Sequence, residues 1–150
     1  GDCRNLLPMN GVQSIIFSPP YAKSFTSKSM DERSRSQNPE SYAKFTAGDD
    51  KTNLSMMNDF IYNQKMEEIY RLCYESLVPG GYCSVIIRDH VTNGAEMTLT
   101  MRAMQLLQQV GLEYVEWFKR YVEGSTKARY NRSMGYRVVD EESAIVFRRP

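Results

Sequence analysis

Ser18, Pro19, Pro20 and Tyr21 form a short motif whose residue types suit the presentation of an amino group for reaction. The exocyclic amine of a nucleobase is a poor nucleophile because its lone pair is delocalised into the ring. Two hydrogen-bond acceptors, each holding one N–H, would impose the tetrahedral geometry that a methyl transfer requires. A Pro-Pro step leaves the strand ladder and holds carbonyls in one direction, since proline has no N–H and a fixed φ. The Pro19 carbonyl and a Ser18 oxygen are therefore the candidate acceptors.

The last residue of this motif, Tyr21, offers a flat ring on which a base can stack. Such a contact is worth about 1–3 kcal/mol. The base must first leave its helical stack, or belong to a single strand. The alternative is a tight turn in which the prolines only redirect the chain and Tyr21 packs into the core.

The motif directly follows residues 12–17, an apolar and β-branched segment that predicts a buried strand. In open α/β sheets, ligands bind outside the carboxyl ends of the strands. The position of the motif therefore agrees with its chemistry. Arg88, Asp89 and His90 end a second predicted strand and should lie at the same edge. They predict either a substrate or cofactor contact or a satisfied polar strand end.

Alternating elements along the rest of the chain predict an α/β layer fold. Apolar spacing predicts helices over residues 60–77 and 98–110, and further strands over 82–87, 112–121 and 144–147. The two helices would be crossover connections, so the first three strands should be parallel. The last strand follows without a helix, and we expect it to enter antiparallel at an edge of the sheet.

Two polar regions are candidates for contact with a nucleic acid. Residues 22–56 lack apolar periodicity and predict an inserted loop, whose cations, Lys23 among them, could contact phosphates. Acidic residues dilute that charge, so a solvated loop is the alternative. Near the C terminus, basic and aromatic residues alternate, which suits a nucleic-acid surface or an exposed hairpin. This second set comprises Lys119, Arg120, Tyr121, Lys127, Arg129, Tyr130, Arg132, Tyr136 and Arg137.

Three blocks of the chain resemble the Rossmann-like amino methyltransferases that modify adenine N6 or cytosine N4 in DNA. Residues 1–7 followed by 15–21 are similar to the GD…L…SPPY block of these enzymes. Residues 74–82 resemble their helix–turn–strand with its Pro-Gly-Gly turn, and residues 141–148 resemble their terminal strand. The first block is specific, whereas the Pro-Gly-Gly turn is shared by many methyltransferases.

This resemblance implies a partial Rossmann-like methyltransferase sheet, mostly parallel with an antiparallel last strand and with helices on its faces. It implies S-adenosylmethionine as the cofactor and makes Ser18, Pro19, Pro20 and Tyr21 the catalytic motif. Ser18 would also bind the cofactor, and Asp2 would accept a hydrogen bond from the adenine amino group of the cofactor. Substrate contacts would come from the motif tyrosine and from the lysine two residues after it, Lys23.

The chain differs from these enzymes because it lacks their glycine-rich turn. These enzymes bind the cofactor with a glycine-rich strand-to-helix turn, in which the backbone approaches the ligand closely. The sequence contains no such turn, since Gly80 and Gly81 belong to a predicted helix end. We therefore expect residues 1–150 to be a single methyltransferase domain fragment. Its terminal-strand-like end favours a C-terminal portion, with the cofactor-binding segment upstream, although a downstream segment is the other known order.

Bulk properties agree with one soluble domain. The chain has 150 residues, 41% of them hydrophobic, and a formal net charge of +1. No stretch approaches the roughly 18–20 apolar residues of a membrane span, and no signal peptide opens the chain. Cys3, Cys73 and Cys83 lack CxxC spacing, which predicts reduced thiols, no zinc site and a cytoplasmic location.

The expected function is S-adenosylmethionine-dependent methylation of an exocyclic amine of a DNA base, within a restriction-modification or similar role. Ser18 before Pro-Pro favours cytosine N4 slightly over adenine N6. An RNA amino methyltransferase is the enzymatic alternative. The alternative from another class is a non-catalytic nucleic-acid-binding or partner subunit with a methyltransferase-like fold. Expected partners are DNA, as a flipped base or single strand, and either a missing cofactor-binding segment or a second copy of the chain.

Overall fold

The chain divides into two units, residues 1–19 with 67–150, and residues 20–66. The computed structural model describes residues 5–20, 54, 57–92, 95–122, 126–136 and 138–150. The predicted polar loop over residues 22–56 lies outside the described residues, apart from Leu54. Within the described ranges, no helix is long and apolar enough to cross a membrane.

Strands and helices alternate through most of the chain. In chain order they are β1 (Val12–Phe17), α1 (Asp59–Ser76), β2 (Leu77–Ile87), β3 (His90–Thr92), β4 (Ala95–Met97), α2 (Leu99–Gln109), β5 (Glu113–Tyr121), α3 (Thr126–Ser133) and β6 (Glu141–Arg148). The sequence did not predict the small β3–β4 hairpin or α3. The two strands have only three residues each, too few to show a periodic pattern, and the residues of α3 are largely polar.

The main sheet has four strands in the order β1-β2-β6-β5. β1 and β2 pair in parallel, while β6 is antiparallel to both of its neighbours, β2 and β5. Because two antiparallel steps restore the direction, β5 runs the same way as β1 and β2. The mixed α/β fold with three like-directed strands and one reversed last strand is therefore confirmed.

The predicted position of the last strand was wrong. β6 does not lie at a sheet edge but between β2 and β5. Its residues explain the central position, because Ser143, Ile145 and Phe147 are buried while the residues between them are half-buried. In a central place, the side chains of a strand have cross-strand neighbours on both sides, which favours the apolar residues of β6.

The prediction that β1 is buried was also wrong. None of its six residues is buried, and Ile16 is 69% exposed. The physical reason is its place at the end of the strand order, with β2 as its only neighbour in the sheet. An apolar, β-branched sequence indicates a strand, but it does not specify how many neighbours cover that strand.

The sequence predicted that Gly80 and Gly81 end a helix, and this prediction was wrong. α1 ends at Ser76, and both glycines belong to β2, at the register shift between β1 and β2. A Cβ on Gly81 would lie 2.9 Å from the Val78 carbonyl oxygen and 3.0 Å from that of Gln13. Glycine is needed there because the β1 backbone approaches too closely for a side chain.

The core lies between the sheet and the helices α1 and α2. α1 buries Ile69, Tyr70 and Cys73, and α2 buries Leu106 and Leu107. Against them lie fully buried residues of the two central strands, namely Cys83, Val85, Ile145 and Phe147. The helix predicted to end near Gly111 does so, since that residue has φ 97° and its N–H donates to the Gln108 carbonyl at 3.0 Å.

Candidate functional site

The Ser-Pro-Pro part of the motif lies immediately beyond the carboxyl end of β1. Ser18 and Pro20 are exposed, whereas Pro19 is buried. A buried proline between two exposed neighbours fixes the backbone while leaving the Ser18 hydroxyl accessible. Tyr21, Lys23 and Asp2 lie outside the described residues, so their predicted roles stay predictions.

Phe17, the residue before the motif, is held by an aromatic contact. Its ring lies 6.1 Å from that of Tyr70 on α1, with an interplanar angle of 51°. Tyr70 is only 1% exposed. Tilted aromatic pairs of this kind add about 0.5–1.5 kcal/mol to the burial of their area. The last side chain before Ser18 is therefore anchored to a rigid part of the core.

The ends of β1 and β2 meet at one edge, as the sequence predicted. Phe17 pairs with Val85 in the parallel register, so Ser18 lies beside Ile86. Arg88 and Asp89 follow the end of β2 at the same edge. We call this edge the Ser18 edge, defined by Ser18, Arg88 and Asp89. It is the carboxyl edge of the parallel strands, where ligands bind in open α/β sheets.

Arg88 and Asp89 have structural partners at this edge. An Asp89 carboxylate oxygen accepts the backbone N–H of Thr100 at 2.8 Å, in the first turn of α2. Thr98, the residue preceding that helix, makes no side-chain cap. Arg88 donates to the Val139 carbonyl. Of the two predicted interpretations, these contacts favour the satisfied polar strand end.

The connection from β5 to β6 reaches the same edge, because β5 runs parallel in direction to β2. Tyr121, Tyr130 and Tyr136 are exposed there, at 69%, 62% and 62%. Several of the nearby cations are ion-paired. Lys119 pairs with Glu141 at 2.9 Å, Arg120 with Glu142 at 2.9 Å, and Arg132 with Asp140. The aromatic half of the predicted nucleic-acid surface is thus accessible, while these pairs reduce its positive charge.

Two buried thiols lie close to the motif strand. Cys73 and Cys83 are free and buried, on α1 and β2. The hydrogen bond to Cys73, together with burial, raises the pKa of the Cys83 thiol above its ordinary value. A thiol held in its protonated form is a poor nucleophile.

The described residues include no glycine-rich strand-to-helix turn of the kind that the resemblance associates with S-adenosylmethionine. Gly80 and Gly81, the adjacent glycines of the sequence, lie within β2, where Gly81 accommodates the β1 backbone rather than a ligand. These two glycines do not supply the glycine-rich cradle that the resemblance implies.

No family model matches the chain, and no curated protein sequence matches it. Solved structures do. One is a Thermus thermophilus protein named 'putative DNA modification methylase', complexed with S-adenosyl-L-methionine. The similarity covers 100% of this chain and 54% of that one, at 17% identity and a TM-score of 0.62. Another is the cytosine-N4-specific PvuII DNA methyltransferase. The similarity covers 100% of this chain and 48% of that enzyme's chain, at 15% identity and a TM-score of 0.65.

The chain thus spans about half the length of these two structures. At such identities the likeness concerns the fold. Its strand directions and the edge at which Ser18 lies agree with the fold expected from the sequence motifs. Over its whole length, the chain has the fold of one half of these DNA methyltransferase structures.

Proposed function

We propose that this chain provides the amine-presenting half of a DNA methyltransferase that modifies an exocyclic amino group of a base. The observation that supports this most is the position of Ser18-Pro19-Pro20 directly beyond β1, at the carboxyl edge of a parallel strand pair. The likeness of the fold to two DNA methyltransferase structures supports the same function. The cofactor of the proposed reaction is S-adenosylmethionine.

The chain's own residues would prepare the amine. The Pro19 carbonyl accepts one amine N–H and the Ser18 oxygen accepts the other, which turns the nitrogen lone pair out of the plane of the base. Both acceptors are held before the base arrives, because Pro19 is buried and the Phe17 ring is fixed against Tyr70. Preorganised groups of this kind need no reorganisation during the reaction. Tyr21 would stack on the base and keep it in place.

Cytosine N4 is the proposed target in preference to adenine N6. The slight preference rests on Ser18 at the first position of the motif. The PvuII methyltransferase, which has this fold, is cytosine-N4-specific. Nucleoside analysis by mass spectrometry separates the two products, because N4-methylcytosine and N6-methyladenine differ in mass.

The decisive test is methyl transfer from labelled S-adenosylmethionine to DNA by the protein purified from its natural host. Ser18→Ala removes one proposed acceptor and should lower kcat about 100-fold, in the range seen when one preorganised polar group is lost. Ser133→Ala is the matched control, since Ser133 is an exposed serine at the end of α3. Equal rates for wild type, Ser18→Ala and Tyr21→Ala would refute the proposed chemistry.

A non-catalytic partner subunit is the second candidate. The observation in its favour is the absence of any glycine-rich strand-to-helix turn from the sequence. A subunit of this kind would bind DNA equally well with and without S-adenosylmethionine, and would leave no methylated base. An RNA substrate in place of DNA would appear in the same assay, when labelled methyl enters RNA alone.

A further inference from the structure

The residues that lead into β6 reach the Ser18 edge without being packed into the core. We call residues 134–136 and 138–140 the β6 entry, which follows the end of α3 and precedes Glu141. None of these residues is buried, and Tyr136 is 62% exposed. Hydrophobic burial therefore does not fix the β6 entry, and its position depends on polar contacts.

One of these polar contacts comes from the end of β2. The Arg88 guanidinium donates a hydrogen bond to the Val139 carbonyl oxygen, across 51 positions of the chain. Both residues are half-buried, so water competes with this contact less than it would at a fully exposed site. Hydrogen bonds from a charged donor are also stronger than those between neutral groups. Arg88 therefore ties the β6 entry to the strand that pairs with β1.

Asp140, the next residue of the β6 entry, contacts two further elements. Its carbonyl oxygen accepts the N–H of Val122, just beyond β5, at 2.7 Å. Its carboxylate pairs with Arg132 on α3. Closer to α3, the Tyr136 N–H donates to the Asn131 carbonyl at 2.9 Å. The backbone of the β6 entry is therefore held at Tyr136 and at Asp140, while the Tyr136 side chain stays exposed.

An exposed tyrosine held at this edge suits contact with a base of a nucleic acid. An aromatic ring can stack on any base, because every base has a π-face. Extrusion of the target base also leaves its neighbours without a stacking partner. Stacking requires the ring to stay in one place, since a displacement of about 1 Å is enough to weaken a positioned contact. The polar contacts of the β6 entry provide such a fixed position for Tyr136.

We propose that Arg88 is a positioning residue for DNA: through Val139 it holds the β6 entry so that Tyr136 stacks on a base next to the target base. The target base itself is assigned to Ser18, Pro19 and Tyr21, so the ring of Tyr136 takes a neighbouring one. Arg88 acts on the DNA through Tyr136 and makes no contact with it. The inference rests on the proposed function, since it names a further group that holds the same substrate.

A double-mutant cycle on methyl transfer tests whether the two residues act as one unit. Arg88→Ala and Tyr136→Ala should each raise the KM for DNA about tenfold, in the range of one lost base stack, with kcat within about twofold of wild type. The double variant should be no worse than either single variant, because both substitutions remove the same contact. Arg102→Ala is the matched control, since Arg102 is an exposed arginine on α2 and should leave the KM unchanged.

Conservative variants and hydrogen exchange separate positioning from a general loss of folding. Arg88→Lys keeps a cationic donor and Tyr136→Phe keeps the ring, so each should bring the KM for DNA within about threefold of wild type. Amide exchange measured by NMR reports on the β6 entry directly. Arg88→Ala should speed exchange of the Val122 and Tyr136 N–H groups at least about threefold, and leave that of Val85 in the core at its wild-type rate.

Additive effects of Arg88→Ala and Tyr136→Ala on the KM would overturn the inference, since Arg88 would then act on the DNA by itself. An unchanged KM in either single variant, or unchanged exchange at Tyr136 in Arg88→Ala, would overturn it as well. In each of these cases, methyl transfer to DNA by the wild type would leave the proposed function standing. A wild-type protein from its natural host that transfers no methyl group would instead refute the proposed function, and this inference with it.

Discussion

The two faces of the main sheet are built from the same strands but are buried to different extents. The covered face packs against α1 and α2, whereas the open face, on the other side of the sheet, includes Ile16, Tyr82 and Phe118. On the covered face, Phe147 has no exposed surface and its ring meets Tyr114 edge-on at 5.8 Å. On the open face, Phe118 is an equally large residue that keeps 52% of its surface exposed. The difference shows that the core of the described residues lies on one face of the sheet, while the other face contributes little to it.

Shortening a buried side chain of the covered face should reduce the stability of the protein most. Phe147→Ala removes a fully buried ring and should lower the free energy of unfolding by about 3–5 kcal/mol, from lost transfer energy and the cavity left behind. Urea denaturation followed by circular dichroism measures the loss. A change below about 1 kcal/mol would show that the two faces are less different than their exposure indicates.

The close contact between β1 and β2 at Gly81 should give the second largest loss of stability when it is disturbed. Gly81→Ala places a methyl group against the carbonyl oxygens of Val78 and Gln13, both of them backbone atoms. We expect a loss of about 1–3 kcal/mol from this overpacking, seen as a lower thermal midpoint. Gly135→Ala is the control for glycine removal as such, since its added Cβ meets nothing within 4 Å but its φ is 77°. Equal effects of the two substitutions would argue against a steric cause at Gly81.

Loss of the Asp89 hydrogen bond at the Ser18 edge should reduce stability by an intermediate amount. Asp89→Ala removes the carboxylate that accepts the Thr100 N–H and should destabilise the protein by about 1 kcal/mol, the usual cost of a lost helix cap. Asp89→Asn keeps an acceptor oxygen and should recover most of this loss. If Asp89→Ala abolished DNA methylation while the thermal midpoint stayed constant, the residue would have a direct role that its hydrogen bond does not indicate.

Truncation of the open face should have the smallest effect on the chain alone. Phe118→Ala should change the free energy of unfolding by less than about 0.5 kcal/mol, because the ring is largely solvated before and after unfolding. The same urea denaturation as for Phe147→Ala provides a matched comparison of two phenylalanines. A loss near 3 kcal/mol, about the cost of emptying a core site, would mean that Phe118 belongs to the folded core of this chain.

Local patterns in the sequence were enough to predict most elements and the motif. The apolar run before Ser18 predicted β1, and the glycine at position 111 predicted the end of α2. The Ser-Pro-Pro step was correctly placed at a strand end because proline restricts its own backbone wherever it occurs. Gly80 and Gly81 were misassigned because adjacent glycines suit both a helix end and a close strand contact.

The sequence by itself determined which polar groups and which restricted backbone the motif contains, because these are properties of Ser18, Pro19 and Pro20 themselves. Only the tertiary structure decided that β6 lies in the centre of the sheet and β1 at its edge. Apolar and β-branched residues mark both strands equally, and their burial depends on neighbours that are distant in the chain. The same holds for Asp89, whose partner Thr100 is eleven residues away and is brought near by the fold.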